Sequence, residues 1–305
     1  MIDIRRVDGG IVTGRFTDHH VHLQLVDHAL LSGSRLGRVI DLGGNPTVLR
    51  RLAGHNSGDP RPVPELSPVS AANPGISPEL RTPIIEYAGP FLTAPGGYPS
   101  DREWAPAGSV REVPDAASAA AAVGEAADAG AALIKIALNS QAGPVLADDD
   151  VRAIVSAAAA QGLPVVAHAE GPGQAQRAVR LGATRLAHAP FSERLGDDEI
   201  AEQAASAEWI STLAIHEAGP HAIAVDNVRR FAAAGGTILY GTDMGNGETP
   251  VDLNAAEIDA LREADVDGVR LLEALAPRTD DPRALFLPGG DPVLARPLTP
   301  VDLEV

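Results

Sequence analysis

His20 and His22 stand two residues apart in the run Asp18-His-His-Val-His22. On an extended strand, residues i and i+2 point to one face, so both imidazoles can reach a single metal ion. Read alone, the pair fits two ordinary half-buried histidines equally well. His19 faces the other way and is expected to be structural. Lys135 sits at the centre of Ile134-Lys-Ile-Ala-Leu138 and is the one lysine among 24 Lys and Arg residues. A buried ammonium is costly and tends to lose its proton. A neutral amine in a dry pocket can add to carbon dioxide, and the resulting carbamate has two oxygens that can bridge two metal ions. The alternative is a lysine that snorkels to the strand end or pairs with an Asp. His168, His188 and Asp243 each end an apolar, strand-like run, and His216 follows another.

The elements that carry these residues alternate. Strands are expected at 16–22, 36–42, 83–88, 134–138, 163–168, 185–188, 209–215 and 237–243. Helices are expected at 115–131, 148–160, 173–181, 197–206, 222–234, 250–264 and 266–275. The Ala-rich stretch from Asp115 to Ala131 is read as a helix because Ala is the best helix former. Asp148-Asp-Asp150 places acids in a first helical turn, where the dipole favours them. Residues 54–83 are rich in Pro, Gly, Asn and Ser and read as a long loop over a site, and 89–114 as a second turn-rich segment. Eight strand–helix units over about 250 residues match an α/β fold of the (β/α)8 TIM-barrel type. An open doubly wound sheet is disfavoured, because no Gly-x-Gly-x-x-Gly run follows the first strand. In a barrel the C-terminal strand ends converge on one face, so His20, His22, Lys135, His168, His188 and Asp243 are expected to meet there.

Composition narrows the chemistry. The 305 residues carry a net charge of −17, which argues against nucleic acid and anionic membrane as partners. There is no cysteine, so any metal must be held by His, carboxylate or a modified Lys. The N-terminus lacks a signal-peptide core, and no apolar run reaches the roughly 18 residues of a membrane helix. A cytoplasmic protein acting on a small-molecule substrate is the resulting expectation.

Taken together, Asp18-His-His-Val-His22, Lys135, His168, His188 and Gly241-Thr-Asp243 resemble, in type and order, the motifs of the amidohydrolase superfamily, the metal-dependent (β/α)8 hydrolases. Ala88-Gly-Pro-Phe-Leu-Thr-Ala-Pro-Gly-Gly97 and Phe286-Leu-Pro-Gly-Gly-Asp-Pro292 are similar to the imidazolonepropionase-related and prolidase-like branch, although Tyr98 stands where that branch often has His. The resemblance implies two divalent metals, most often zinc. His20, His22 and Asp243 would hold the first ion, His168 and His188 the second, with carbamylated Lys135 between them. Asp243 would act as the proton carrier in hydrolysis of an amide, cyclic amide, N-acyl or peptide-like bond. A lactone or phosphoester hydrolase with the same site is the second reading, and a barrel scaffold without catalysis the third. His216, His221 and Tyr98 are the substrate-binding candidates; Arg102, Tyr240, Glu170, Asn246 and Glu248 are weaker ones for the pocket.

The resemblance also implies a β-sandwich built from both termini. Here it is short: residues 1–15 would supply one remnant strand and 286–305 one or two, around a barrel at 16–285. A barrel bottom so thinly covered leaves room for a second copy of the chain, a homo-oligomer.

Overall fold

The computed structural model describes residues 4–54, 82–278, 283–299 and 302. The expected loop at 54–83 falls largely outside these residues. The strands are β1 (Arg5–Val7), β2 (Gly10–Gly14), β3 (Phe16–Val21), β4 (Leu36–Asp41), β5 (Ile84–Tyr87), β6 (Phe91–Thr93), β7 (Val110–Glu112), β8 (Ile134–Asn139), β9 (Val165–Glu170), β10 (Arg185–Leu186), β11 (Glu208–Ile210), β12 (Thr237–Leu239), β13 (Ala284–Pro288) and β14 (Arg296–Pro297). The helices are α1 (Pro46–Gly54), α2 (Ala116–Asp128), α3 (Asp148–Ala160), α4 (Gln174–Arg180), α5 (Asp197–Ser206), α6 (Ala218–Ala233), α7 (Ala255–Glu263) and α8 (Val269–Ala274).

Two runs of parallel strands, β3-β4-β5 and β12-β11-β10-β9-β8-β6-β7, form the barrel wall. The third barrel strand is one chain segment in two pieces. β5 pairs with β4, Gly89 turns with φ +78°, and β6 then pairs with β8, setting Phe91 opposite Lys135. The ring closes where the His19 amide donates to the Tyr240 carbonyl and the His22 amide to the Met244 carbonyl, at 3.0 and 2.7 Å. This is the α/β barrel expected from the alternation.

The period-two pleat sorts the side chains. On β8, Ile134, Ile136 and Leu138 face outward into the core beneath the helices. Leu133, from the same segment, joins Ile40, Leu42, Ala88, Val166, Ala187, Ile210 and Leu239 in a separate cluster that fills the barrel floor. Lys135, two residues beyond Leu133, shares its inward direction and lies one level higher. His168 stands above Val166 on β9 in the same way.

The termini form a four-stranded antiparallel sheet in the order β1-β2-β13-β14. The N-terminal part is thus a hairpin rather than the single strand expected. Helix α1 is not among the expected helices, although the Asn45 side chain accepts from the Thr47 amide as an N-cap does. β6 and β7 were likewise read as loop, being three residues each and flanked by Gly and Pro. Helix α7 begins at Ala255 rather than near Pro250, because Asn254 caps it by accepting from the Ala256 amide. Strands β10, β11 and β12 stop short, so His188 and Asp243 lie in the turns just past their strands and not on them.

Candidate metal and active site

A cavity of about 390 Å³ opens at the C-terminal ends of the strands, and His20, His22, Lys135, His168, His188 and Asp243 all line it. At its base His20 Nε2 and His22 Nε2 each lie 3.1 Å from Asp243 Oδ1 and 3.3 Å from one another. Among the described residues this trio is the one cluster of His and carboxylate ligand atoms close enough to share an ion.

The backbone around the trio dictates its chemistry. His20 Nδ1 donates to the Ala187 carbonyl at 2.8 Å, and His22 Nδ1 to the Gly43 carbonyl at 3.0 Å. A carbonyl only accepts, so the proton of each neutral ring is at Nδ1 and the lone pair at Nε2. Two nitrogen lone pairs and a carboxylate oxygen therefore point at one spot. That arrangement is repulsive unless a cation or an added proton occupies it. Burial, together with nearby Lys135 and His22, holds the His20 imidazole neutral against the pull of Asp243. Burial opposes charge on Asp243 and on His22 alike, but their hydrogen bond and mutual attraction outweigh it, so the carboxyl is held well below and the His22 imidazole above its ordinary range, and an added proton sits on this pair. Neutral imidazoles and a charged carboxylate are the donor set that a divalent transition metal takes. The residues fit a metal.

Two acids that the sequence reading had not singled out hold the trio in place. Asp18 Oδ1 accepts from the His20 and Thr242 amides at 3.0 and 3.2 Å, and Oδ2 from the Thr242 hydroxyl at 2.6 Å. It ties β3 to the turn that carries Asp243. Burial raises its pKa to about 7. Asp41 accepts from the Leu23 and Gly43 amides at 2.7 and 3.0 Å, which fixes the carbonyl that orients His22. Its pKa rises to about 6, also through burial. The motif Asp18-His-His-Val-His22 contained the signal for the first; nothing local marked the second. Gly43 must be glycine, since a Cβ there would lie 2.1 Å from the Phe91 ring. Asp243 itself has φ +53°, and Thr212, beside His188, has φ +44°. Such conformations in non-glycine residues persist only where the surroundings enforce them.

The other half of the expected set is present but spaced more loosely. The His168 and His188 rings stand 4.9 Å apart, and His188 lies 4.8 Å from His20. His168 Nε2 donates to Glu170 Oε2 at 3.0 Å, so its lone pair is at Nδ1. The amide of Asn139 holds the same oxygen at 2.7 Å. His188 Nδ1 hydrogen-bonds the Thr212 hydroxyl at 2.9 Å, leaving Nε2. Lys135 is 1% exposed, and burial lowers its pKa to about 7 although Asp243 and Asp41 pull the other way. Its Nζ lies 5.8 Å from the centre of the Phe91 ring.

Among the substrate candidates, Tyr98 stacks on His168 with ring centres 5.2 Å apart, and His216 lines the same cavity. His216 Nε2 is buried and has no hydrogen-bond partner among the described residues, and burial takes its pKa down to about 4. His221 is a correction. It sits in the first turn of α6, with Nδ1 donating to the Leu213 carbonyl and Nε2 facing Glu263 at 3.2 Å. It does not line the cavity, because the helix carries it outward. Tyr240 is likewise turned away, its hydroxyl accepting from the Asn254 amide at 2.7 Å. Arg102 lies over the Tyr98 ring at 5.7 Å and, like Glu248, is not among the lining residues. Asn246 does line it and donates to Asp243 Oδ2 at 2.8 Å. His19 donates to the Tyr240 carbonyl, away from the cavity as expected. Phe91, Trp104 and Phe191 also line the cavity and were not foreseen.

The architecture is shared with several solved structures. A Xaa-Pro dipeptidase with bound methionine in the active site superposes at a TM-score of 0.67, with 17% identity over 92% of this chain and 82% of that one. An amidohydrolase matches at 0.63, with 18% identity over 98% and 89%. Ochratoxinase from A. niger matches at 0.65, with 14% identity over 90% and 77%. At such identities the likeness shows the fold. No protein-family model and no curated protein matches the chain. No described helix is long and apolar enough to cross a membrane.

Proposed function

We propose that the chain is a metal-dependent hydrolase of the amidohydrolase superfamily that cleaves a carbon–nitrogen bond, of amide, cyclic amide, N-acyl or peptide-like type, in a small molecule. One observation carries the reading: two Nε2 lone pairs, their tautomers set by backbone carbonyls, converge with Asp243 Oδ1 within 3.3 Å at the base of an open cavity. His20, His22 and Asp243 would hold one divalent ion. His168 and His188, with Lys135 as its carbamate, would hold a second, and zinc suits this nitrogen and oxygen set. A neutral amine is needed to take up carbon dioxide, and a pKa of about 7 makes one available. The bound metals supply Lewis acidity and a lowered pKa for water.

The chain's own groups would do the rest. In hydrolysis the water oxygen joins the carbonyl carbon, the carbon–nitrogen bond breaks, and a proton moves to the departing nitrogen. Asp243 is placed to carry that proton, with Asn246 fixing its second oxygen. His216 offers an unpaired Nε2 to the substrate carbonyl or to a substrate carboxylate. Tyr98, whose hydroxyl burial keeps protonated, can donate from above His168.

Elemental analysis and a substrate panel test the reading. Protein purified with zinc should carry about two equivalents, lose amide hydrolysis on chelation, and regain it on re-addition. Lys135→Ala should lose about one equivalent and most activity. Protein that binds no zinc and melts unchanged with chelator would overturn the metal site. A kcat/KM higher for lactones or phosphotriesters than for amides would overturn the bond class.

A further inference from the structure

The chain is poor in aromatic residues, with two Trp, three Tyr and five Phe. Four of these ten, Phe91, Tyr98, Trp104 and Phe191, line this one cavity. They are ordered. Trp104 lies outermost, 41% exposed, and meets both Phe91 at 6.2 Å and Tyr98 at 6.1 Å. Phe91 leads on to the ring of His22 at 5.7 Å, and Tyr98 to that of His168 at 5.2 Å. On another part of the lining Phe191 packs on His216 at 4.2 Å. An indole left partly in water loses apolar hydration when an apolar group covers it, and a flat ring covers its face and adds ring-on-ring contact.

The fixed charges give the second constraint. Apart from Lys135, the ionisable residues lining the cavity besides His and Tyr are Glu170 and Asp243, and no arginine is among them in the described residues. Arg102, on the outside of Tyr98, is paired with Asp101 at 3.4 Å. Among the described residues no arginine lines the cavity beside Trp104, and the rings that Trp104 meets there are those of Phe91 and Tyr98, surroundings that suit an uncharged ring.

We infer that the substrate carries an uncharged aromatic ring next to the scissile carbon–nitrogen bond, and that Trp104 is the residue that selects it. The inference rests on the hydrolase reading for the bond but not for the binding of the ring. Trp104 shares no contact with the metal trio; it reaches His22 only through Phe91 and His168 only through Tyr98. It is a specificity residue.

The two tryptophans allow a direct test. Trp209 is fully buried and stacked on Phe231 at 3.8 Å, so fluorescence changes on binding report Trp104. Zinc-loaded protein is titrated with N-methylacetamide, acetanilide and N-methylbenzamide, by fluorescence and by calorimetry, and turnover of each is measured. The expected result is that the two aryl amides quench Trp104 and bind about tenfold tighter than N-methylacetamide. Trp104→Ala should abolish that preference through affinity and KM, while Trp104→Phe should retain most of it. Equal affinity for all three amides would overturn the inference, as would an aryl preference that survives Trp104→Ala. The two readings fail separately. Aryl amides that bind at Trp104 but are never cleaved would defeat the hydrolase and leave the aromatic site standing. Cleavage with no preference for a ring would do the reverse.

Discussion

Below the level of Lys135 the barrel interior is hydrocarbon: Ile40, Leu42, Leu133, Val166, Ile210 and Leu239 fill it from five strand segments. One pleat higher, the same strands present an amine, imidazoles and carboxylates to a cavity. The backbone pairing is alike in both layers, and what differs is how each layer is satisfied. The floor needs only volume, and neighbours supply it. The mouth gathers ionisable groups out of water, which is unfavourable unless each finds partners. Those partners are built in: carbonyls of Ala187 and Gly43 for the imidazoles, and Asp18 and Asp41 for the backbone that carries them. Even so, His216 Nε2 has no hydrogen-bond partner among the described residues, and two imidazole nitrogens crowd one carboxylate oxygen at the base of the cavity. A floor holds a fold together, whereas a layer left unsatisfied is waiting for something to bind.

The largest effect that separates the layers should come from Asp243→Ala. It is expected to lower kcat/KM by about a thousandfold or more, with loss of bound metal and a folded circular-dichroism spectrum. If metal content and turnover persisted, the mouth would be no different in kind from the floor. The converse substitution is Ile40→Ala, expected to cost about 2–5 kcal/mol in chemical denaturation while leaving metal stoichiometry and KM unchanged well below the transition. Asp18→Asn should fall between. It keeps the shape but replaces an acceptor facing Thr242 by a donor, and zinc affinity measured by competition with a chelator should drop about 10–100-fold.

The smallest effect concerns His221, which faces the outer surface. Burial lowers its pKa, but the Leu213 carbonyl and Glu263 outweigh that and hold it above the ordinary value. Its pairing therefore stabilises the fold below the unfolded-state pKa of His, and that contribution is lost as pH rises through the folded-state value. With both side chains partly in solvent, the pH-dependent part of the stability difference between wild type and His221→Ala should be no more than about 1 kcal/mol at pH 5 and vanish by pH 9. Catalytic pH dependence should be unchanged. A shift in kcat on this substitution would bring His221 back into the site.

Most of the floor and half of the mouth were legible in the chain because a strand's pleat is local. Alternation around Leu133, Ile134 and Lys135 determines that the amine faces inward, and spacing determines that His20 and His22 share a face while His19 does not. The absence of cysteine limits ligands to nitrogen and oxygen, and the order of strands and helices determines the barrel. What lies beyond the strand ends was decided elsewhere. Turn geometry, not periodicity, places Asp243 past β12 and swings His221 outward with α6. The bond between Asp18 and Thr242 spans 224 positions, and no local pattern announces it. Nor does any local pattern bring Phe91 on β6 and Trp104 and Phe191 in separate loops to one cavity. The tautomers of His20 and His22 depend on carbonyl partners from other barrel segments, Ala187 and Gly43, that only the closed ring supplies. The physical reason is common to all of these: a pleat repeats every two residues, but which turns meet above it depends on where the whole barrel brings them.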